Sequence, residues 1–141
     1  RDPGSVRHQD VNLLLDTQAW LWWREGNRRL GKRARAAIAR GAADVRVSSA
    51  SAWEIAIKAQ AGRLPFREPV AVWISAAIEE NGFRPLSVTF AHAVAISNLP
   101  PRHADPFDRM LIAQAQLENL TIVTSDTVFD AYDVRVLDAR R

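Results

Sequence analysis

The chain of 141 residues has the length of one ordinary domain, is 48% hydrophobic and 25% charged, and carries a net charge of +3. It contains no cysteine, which excludes disulfides, thiolate zinc sites and cysteine nucleophiles, and a reducing cytoplasm is the expected compartment. Its longest apolar runs fall well short of the ~20 residues that a membrane helix needs. The positive charge is almost all arginine, whose planar fork suits bidentate phosphate contacts, with Lys32 and Lys58 as the exceptions.

Residues 1–10 lack Met and include Gly4-Ser5, and they are expected to be a tag remnant or a disordered N-terminus. "VNLLLD" (11–16) reads as a short buried strand ending in an acid. "TQAWLWWREG" and "GKRARAAIARGA" are predicted as helices, and "VRVSS" (45–49) as a strand. "SAWEIAIKAQAGRL" is predicted as a helix opened by a capping box, Ser51 with Glu54 three residues on. "PVAVWISAAIEENG" (69–82) is strongly periodic and stops at Asn81-Gly82. "FRPLSV" (83–88) is a weak strand that Pro85 assigns to a sheet edge. "TFAHAVAISNL" is the next helix. "DPFDRMLIAQAQLEN" follows, with Pro106 at the first helical position. "LTIVTSD" (120–126) is a strand, "TVFDAY" a turn or two of helix, and "VRVL" (134–137) a last strand. Strands alternating with helices predict an α/β domain with a mainly parallel sheet covered on both faces.

The acids fall where ligands bind in such sheets, beyond the carboxyl ends of the strands. Asp16 ends the first strand and Asp126 the fourth, Glu54 opens the helix after the second, and Asp105 and Asp108 open the helix before the fourth. Each alone reads as a helix cap, worth roughly 0.3–1 kcal/mol through the dipole and the free N–H groups. Together they are too concentrated for caps, since other helix starts use Gly31, Pro69 and Thr89. Several carboxylates in one crevice repel one another unless some protonate or a cation joins them. Hard oxygen ligands with no cysteine suit Mg²⁺ or Mn²⁺, and metal-dependent phosphodiester hydrolysis is the economical reading.

The pieces "LLLDT", "SSASAWEIAIKAQAGRL", "LPPRHADPFDRMLIAQAQ" and "IVTSD", in that order, resemble a PIN-domain ribonuclease of the VapC toxin type. The resemblance covers 11–138 and implies a single three-layer α/β/α domain with a mainly parallel sheet of about five strands. It implies a Mg²⁺-dependent endoribonuclease that hydrolyses RNA by metal-activated water, the toxin of a toxin–antitoxin pair, with an antitoxin partner and a homodimer. Matched residue by residue, Asp16, Glu54, Asp108 and Asp126 take the catalytic and metal-binding positions. Asp108 rather than Asp105 is the third acid because it precedes an Ile-Ala segment and lies 18 residues before Asp126. Asp105 is left as a cap or an outer metal contact, with Thr17, Thr124, Ser125 and Arg109 as further candidates for supporting the acids or touching substrate.

Other residues carry weaker signals. His103 reads as a loop histidine, and His8 and His92 have no visible constellation. The run Arg24 to Arg40 is either a solvated basic face or an RNA-backbone patch. Trp20, Trp22 and Trp23 cannot all point the same way, so one or two are expected in the core and the remainder on a groove for a partner helix, while Trp53 and Trp73 are expected in the core. Two competing functions remain: a non-nuclease phosphoryl-transfer domain, disfavoured because no Lys follows Lys58, and a catalytically silent RNA- or protein-binding module.

Overall fold

The computed structural model describes residues 12–40 and 44–141. The expectations for 1–10, His8, the start of the first strand at Val11 and the last residues of the second helix lie outside them.

Five short strands form one parallel sheet in the order β3-β2-β1-β4-β5. They are β1 (Leu13–Leu15), β2 (Val45–Ser48), β3 (Arg84–Leu86), β4 (Thr121–Thr124) and β5 (Arg135–Asp138). The helices are α1 (Thr17–Glu25), α2 (Lys32–Ala39), α3 (Ser49–Gln60), α4 (Val70–Glu79), α5 (Phe90–Ala95) and α6 (Pro106–Glu118). Short 3-10 turns run over Ile96–Asn98 and Thr127–Ala131. Pro85 sits in β3, at a sheet edge where its missing N–H costs least.

The period of two in β1 sends Leu13 and Leu15 to one face and Leu14 to the other, and all three are buried. On the first face Leu13 and Leu15 meet Trp20 and Trp22 of α1, Ile38 of α2, Ile55 of α3 and Trp73 of α4. On the second, Leu14 and Ile122 meet Leu111 and Ile112 of α6 together with Phe129 and Tyr132. A sheet packed on both faces needs apolar strands throughout, which is why β1 reads as an unbroken leucine run. The result is the three-layer α/β/α arrangement. Among the described residues no helix is long and apolar enough to cross a membrane.

Two local expectations need correction. The helix carrying Glu54 begins at Ser49, and its N-cap is Ser48, whose hydroxyl accepts from the Ala50 N–H at 3.0 Å. No capping box forms between Ser51 and Glu54: the helix has already turned by Ser51, which is buried, and this frees Glu54 to face the cleft. Trp53 is not in the core. It is 64% exposed and rests edge-on against Phe107, with ring centroids 5.1 Å apart. Burying Ala50, Ser51 and Ile55 turns the neighbouring Trp53 position outward. Of the other tryptophans, Trp20, Trp22 and Trp73 are core residues, and Trp23 is half-buried against Phe83.

Candidate active site

The C-terminal ends of β1 and β4, the first turns of α1 and α6 and the middle of α3 surround one cleft of about 490 Å³. Asp16, Glu54, Asp108 and Asp126 all line it, together with Asp105, Thr17, Ser125, Lys58 and Arg140. Four elements distant in sequence therefore bring the four matched acids to one opening.

Capping and site geometry coincide here. Asp16 is the N-cap of α1, its Oδ1 accepting from the Ala19 N–H at 2.7 Å. Asp126 caps the 3-10 turn, its Oδ1 accepting from the Val128 N–H at 3.0 Å. Asp105 caps α6, accepting from the Phe107 and Asp108 N–H groups at 2.8 and 3.0 Å. Each cap uses the Oδ1 oxygen for the helix, and all three residues also line the cleft. Asp108, one turn in, makes no cap.

Hydroxyls and an imidazole hold the acids. Thr17 Oγ1 donates to Glu54 Oε1 at 2.6 Å and lies 3.0 Å from Ser51 Oγ. The buried Thr124 hydroxyl bonds the Asp16 carboxylate and accepts from the Asp126 N–H at 3.0 Å. His103 Nε2 stands 2.8 Å from Asp108 Oδ2. His103 is thus more than a loop histidine. It offers one ligand atom in a group with Asp105 and Asp108, and these atoms all lie within 4.8 Å of one another.

Electrostatic strain is concentrated on Asp16. Burial pushes its carboxyl up to about 6, against the hydrogen bonds from Thr124 and the Ala19 N–H, and the Asp108 and Asp126 charges add to the rise. Burial also raises Asp108, the His103 hydrogen bond opposes it, and the Asp105 charge adds to it. The donor set fits a hard divalent cation: carboxylate oxygens from several elements, no thiolate, and negative charge that is expensive to hold without a counter-ion.

Arg109 points elsewhere. Its guanidinium lies 2.9 Å from Pro100 O, 3.3 Å from Ile96 O and 3.2 Å from Tyr132 Oη, clamping the loop before α6 instead of lining the cleft. Within the basic run, Arg24 reaches Glu80 at 3.5 Å and Arg35 bonds Asn27 O, while Arg28, Arg29, Lys32, Arg33 and Arg40 remain exposed. His92 does belong to a constellation: its Nδ1 accepts from the Thr89 N–H at 3.0 Å, which leaves Nε2 as the donor to Glu118 Oε2 at 2.9 Å. Lys58 and Arg140 are cleft residues that sequence reasoning missed. For Lys58 a signal existed, its position four residues after Glu54 on one helix face.

The PIN-domain family model matches residues 13–135. A stretch of 46 residues is 48% identical to Ribonuclease VapC16 of Mycobacterium tuberculosis, and it spans 33% of this chain and 33% of that protein. The fold is similar to that of VapBC2 from Rickettsia felis, solved bound to a DNA fragment from their promoter (TM-score 0.69, 12% identity, 90% of this chain and 98% of that one). FitAcB from Neisseria gonorrhoeae aligns with TM-score 0.64 and 20% identity over 90% of this chain and 97% of that one. DNA-bound VapBC from Salmonella typhimurium aligns with TM-score 0.63 and 17% identity over 91% and 98%. At these identities the solved structures share the fold; the match along 13–135 carries the membership. This chain belongs to the PIN-domain family.

Proposed function

We propose that this protein is a divalent-metal-dependent endoribonuclease, the toxin half of a toxin–antitoxin pair, with Asp16, Glu54, Asp108 and Asp126 as the acids that hold Mg²⁺, or Mn²⁺ in its place. The observation that carries the reading is the convergence of those four carboxylates on one cleft, with Asp16 buried and its carboxyl driven up to about 6. The partial match to a curated ribonuclease supports the reaction class. Mg²⁺ bound there supplies activation of a water and neutralisation of phosphate charge. Within the protein, Thr17 fixes the rotamer of Glu54, Thr124 ties Asp16 to the Asp126 backbone, and His103 orients Asp108. The exposed arginines between Arg28 and Arg40 attract the RNA backbone over a longer range.

Two partners accompany the reading. The VapBC names carried by solved proteins of this fold support a cognate antitoxin. A homodimer is supported by an exposed apolar segment: residues 85–101 contain no Asp, Glu, Lys or Arg, and Val88, Phe90 and Val94 are exposed there, with Trp53 sharing an apolar groove with Val88. An exposed apolar patch is matched by another of the same kind, and two-fold association supplies one.

The test is cleavage of cellular RNA by the purified protein. EDTA should abolish it, Mg²⁺ or Mn²⁺ should restore it, and Asp16→Asn should lower it by at least 100-fold, the order of a key electrostatic contact. Undiminished cleavage by Asp16→Asn would sink the assignment.

A further inference from the structure

Lys58 is a charged group of the cleft to which the acids assign no task. It lies one turn after Glu54 on α3, half-buried, with Nζ 3.0 Å from Glu54 Oε2. The other oxygen, Oε1, takes the Thr17 hydroxyl at 2.6 Å. Both oxygens of Glu54 are therefore engaged, one by a neutral hydroxyl and one by a full cation. A divalent ion approaching Glu54 meets an ammonium already on Oε2, and the two positive charges cannot share that oxygen without repulsion.

We infer that Lys58 is a two-position residue: it neutralises Glu54 until a divalent cation takes that carboxylate, and then turns into the cleft to bind a non-bridging oxygen of the substrate phosphate. The geometry allows this with little rearrangement. Lys58 already lines the cleft with all four acids. Its four-carbon stem carries a compact charge that reorients by rotamer change alone. The Lys58 end of the pair is the more open one, its side chain 37% exposed against 14% for Glu54, so the ammonium can leave while the carboxylate stays in place. The cleft also needs a cation that stays when RNA arrives, because a phosphodiester brought against four carboxylates is repelled wherever the metal does not screen it. Arg140 offers a second positive group from the segment after β5, while Lys58 comes from the helix after β2, so the two reach the cleft from opposite sides of β1 in the sheet order.

The inference rests on the proposed nuclease reading, and it predicts two effects of opposite sign from one substitution. Lys58→Met keeps the stem and deletes the charge. Calorimetric titration with Mn²⁺ should show this variant binding roughly 2–5-fold more tightly than wild type, because the competitor on Glu54 is gone. Fluorescence anisotropy with a labelled mixed-sequence oligoribonucleotide, in Ca²⁺ in place of Mg²⁺, should show it binding about 10-fold more weakly. Lys58→Arg should recover most of the RNA affinity. A purely structural role for the pair predicts weaker binding of both ligands and a lower unfolding temperature, and that result overturns the inference. So does unchanged Mn²⁺ affinity or unchanged RNA affinity in Lys58→Met. If wild type itself fails to bind Mn²⁺, or Asp16→Asn binds it as well as wild type, the nuclease reading fails instead, and the comparison separates the two failures.

Discussion

Asp105 and Asp108 stand three residues apart around Pro106 and Phe107, yet their carboxylates are spent differently. Asp105 Oδ1 accepts two backbone N–H groups at the start of α6, and Pro106 occupies the helical position whose N–H would have no partner in any case. Asp108 accepts from no backbone group in α6 and instead meets His103 at 2.8 Å. Asparagine is as good an N-cap as aspartate, so Asp105→Asn removes a charge while keeping the helix start. Asp108→Asn removes a charge that faces the cleft and Glu54. Mn²⁺ titration is expected to show Asp108→Asn losing at least 10-fold in affinity and Asp105→Asn no more than a few-fold, with Asp105→Ala adding a stability loss of about 1 kcal/mol. Equal losses from the two Asn variants would make His103, Asp105 and Asp108 the centre of the metal site, a grouping their mutual distances permit.

At the scale of elements, α2 is held by something unusual. Its N-cap is Gly31, which has no side chain to satisfy the first N–H groups. The segment after β5 does so instead: Gly31 N–H donates to Ala139 O at 2.8 Å and Arg33 N–H to Arg141 O at 2.6 Å. Gly31 has an ordinary negative φ, so glycine is required for space alone. A Cβ there would lie 2.6 Å from the Arg140 carbonyl carbon and nearer still to Arg141. Gly31→Ala should push that segment off α2, cost about 1–3 kcal/mol as other overpacked sites do, and withdraw Arg140 from the cleft. Thermal unfolding and RNA-cleavage kinetics check it: a lower midpoint and a KM raised several-fold, with Mn²⁺ affinity unchanged. None of this was legible beforehand, because the contact joins residues more than 100 positions apart and leaves no periodic trace. Local signals did better. The leucine run of β1, the edge proline of β3 and the Asp105-Pro106 helix start each state their structure within a few residues. The Ser51–Glu54 box misled because Ser48 caps the helix one turn earlier, an alternative that spacing alone does not rank.

For the molecule as a whole, the parallel sheet gathers its acids at one end, and that arrangement costs stability until a cation arrives. The acids themselves could be found in the sequence because strand ends and helix starts are readable; the cations opposite them, Lys58 and Arg140, and the His103 contact could not, since side-chain direction decides those. The cost is greatest at Asp16, whose carboxyl titrates near 3.8 in an unfolded chain and about 6 in the fold. Between those values the native state holds a proton that the unfolded chain has released, so stability falls as pH rises through that window and stays lower above it. That rise corresponds to a cost on the order of 3 kcal/mol at neutral pH. Asp108 is raised in the same direction. In EDTA at pH 7.5, Asp16→Asn should therefore unfold at a higher temperature than wild type, by on the order of 10 °C, and the gap should close as pH falls toward 4. Asn retains an oxygen for the Ala19 N–H, so the α1 cap survives the change. Saturating Mg²⁺ should raise the wild-type midpoint at pH 7.5 and leave Asp16→Asn nearly unmoved, since only a ligand that binds the folded state stabilises it. A wild type more stable than Asp16→Asn in EDTA at neutral pH would mean that the buried carboxylate already has a partner within the protein, and the requirement for a cation would vanish with it.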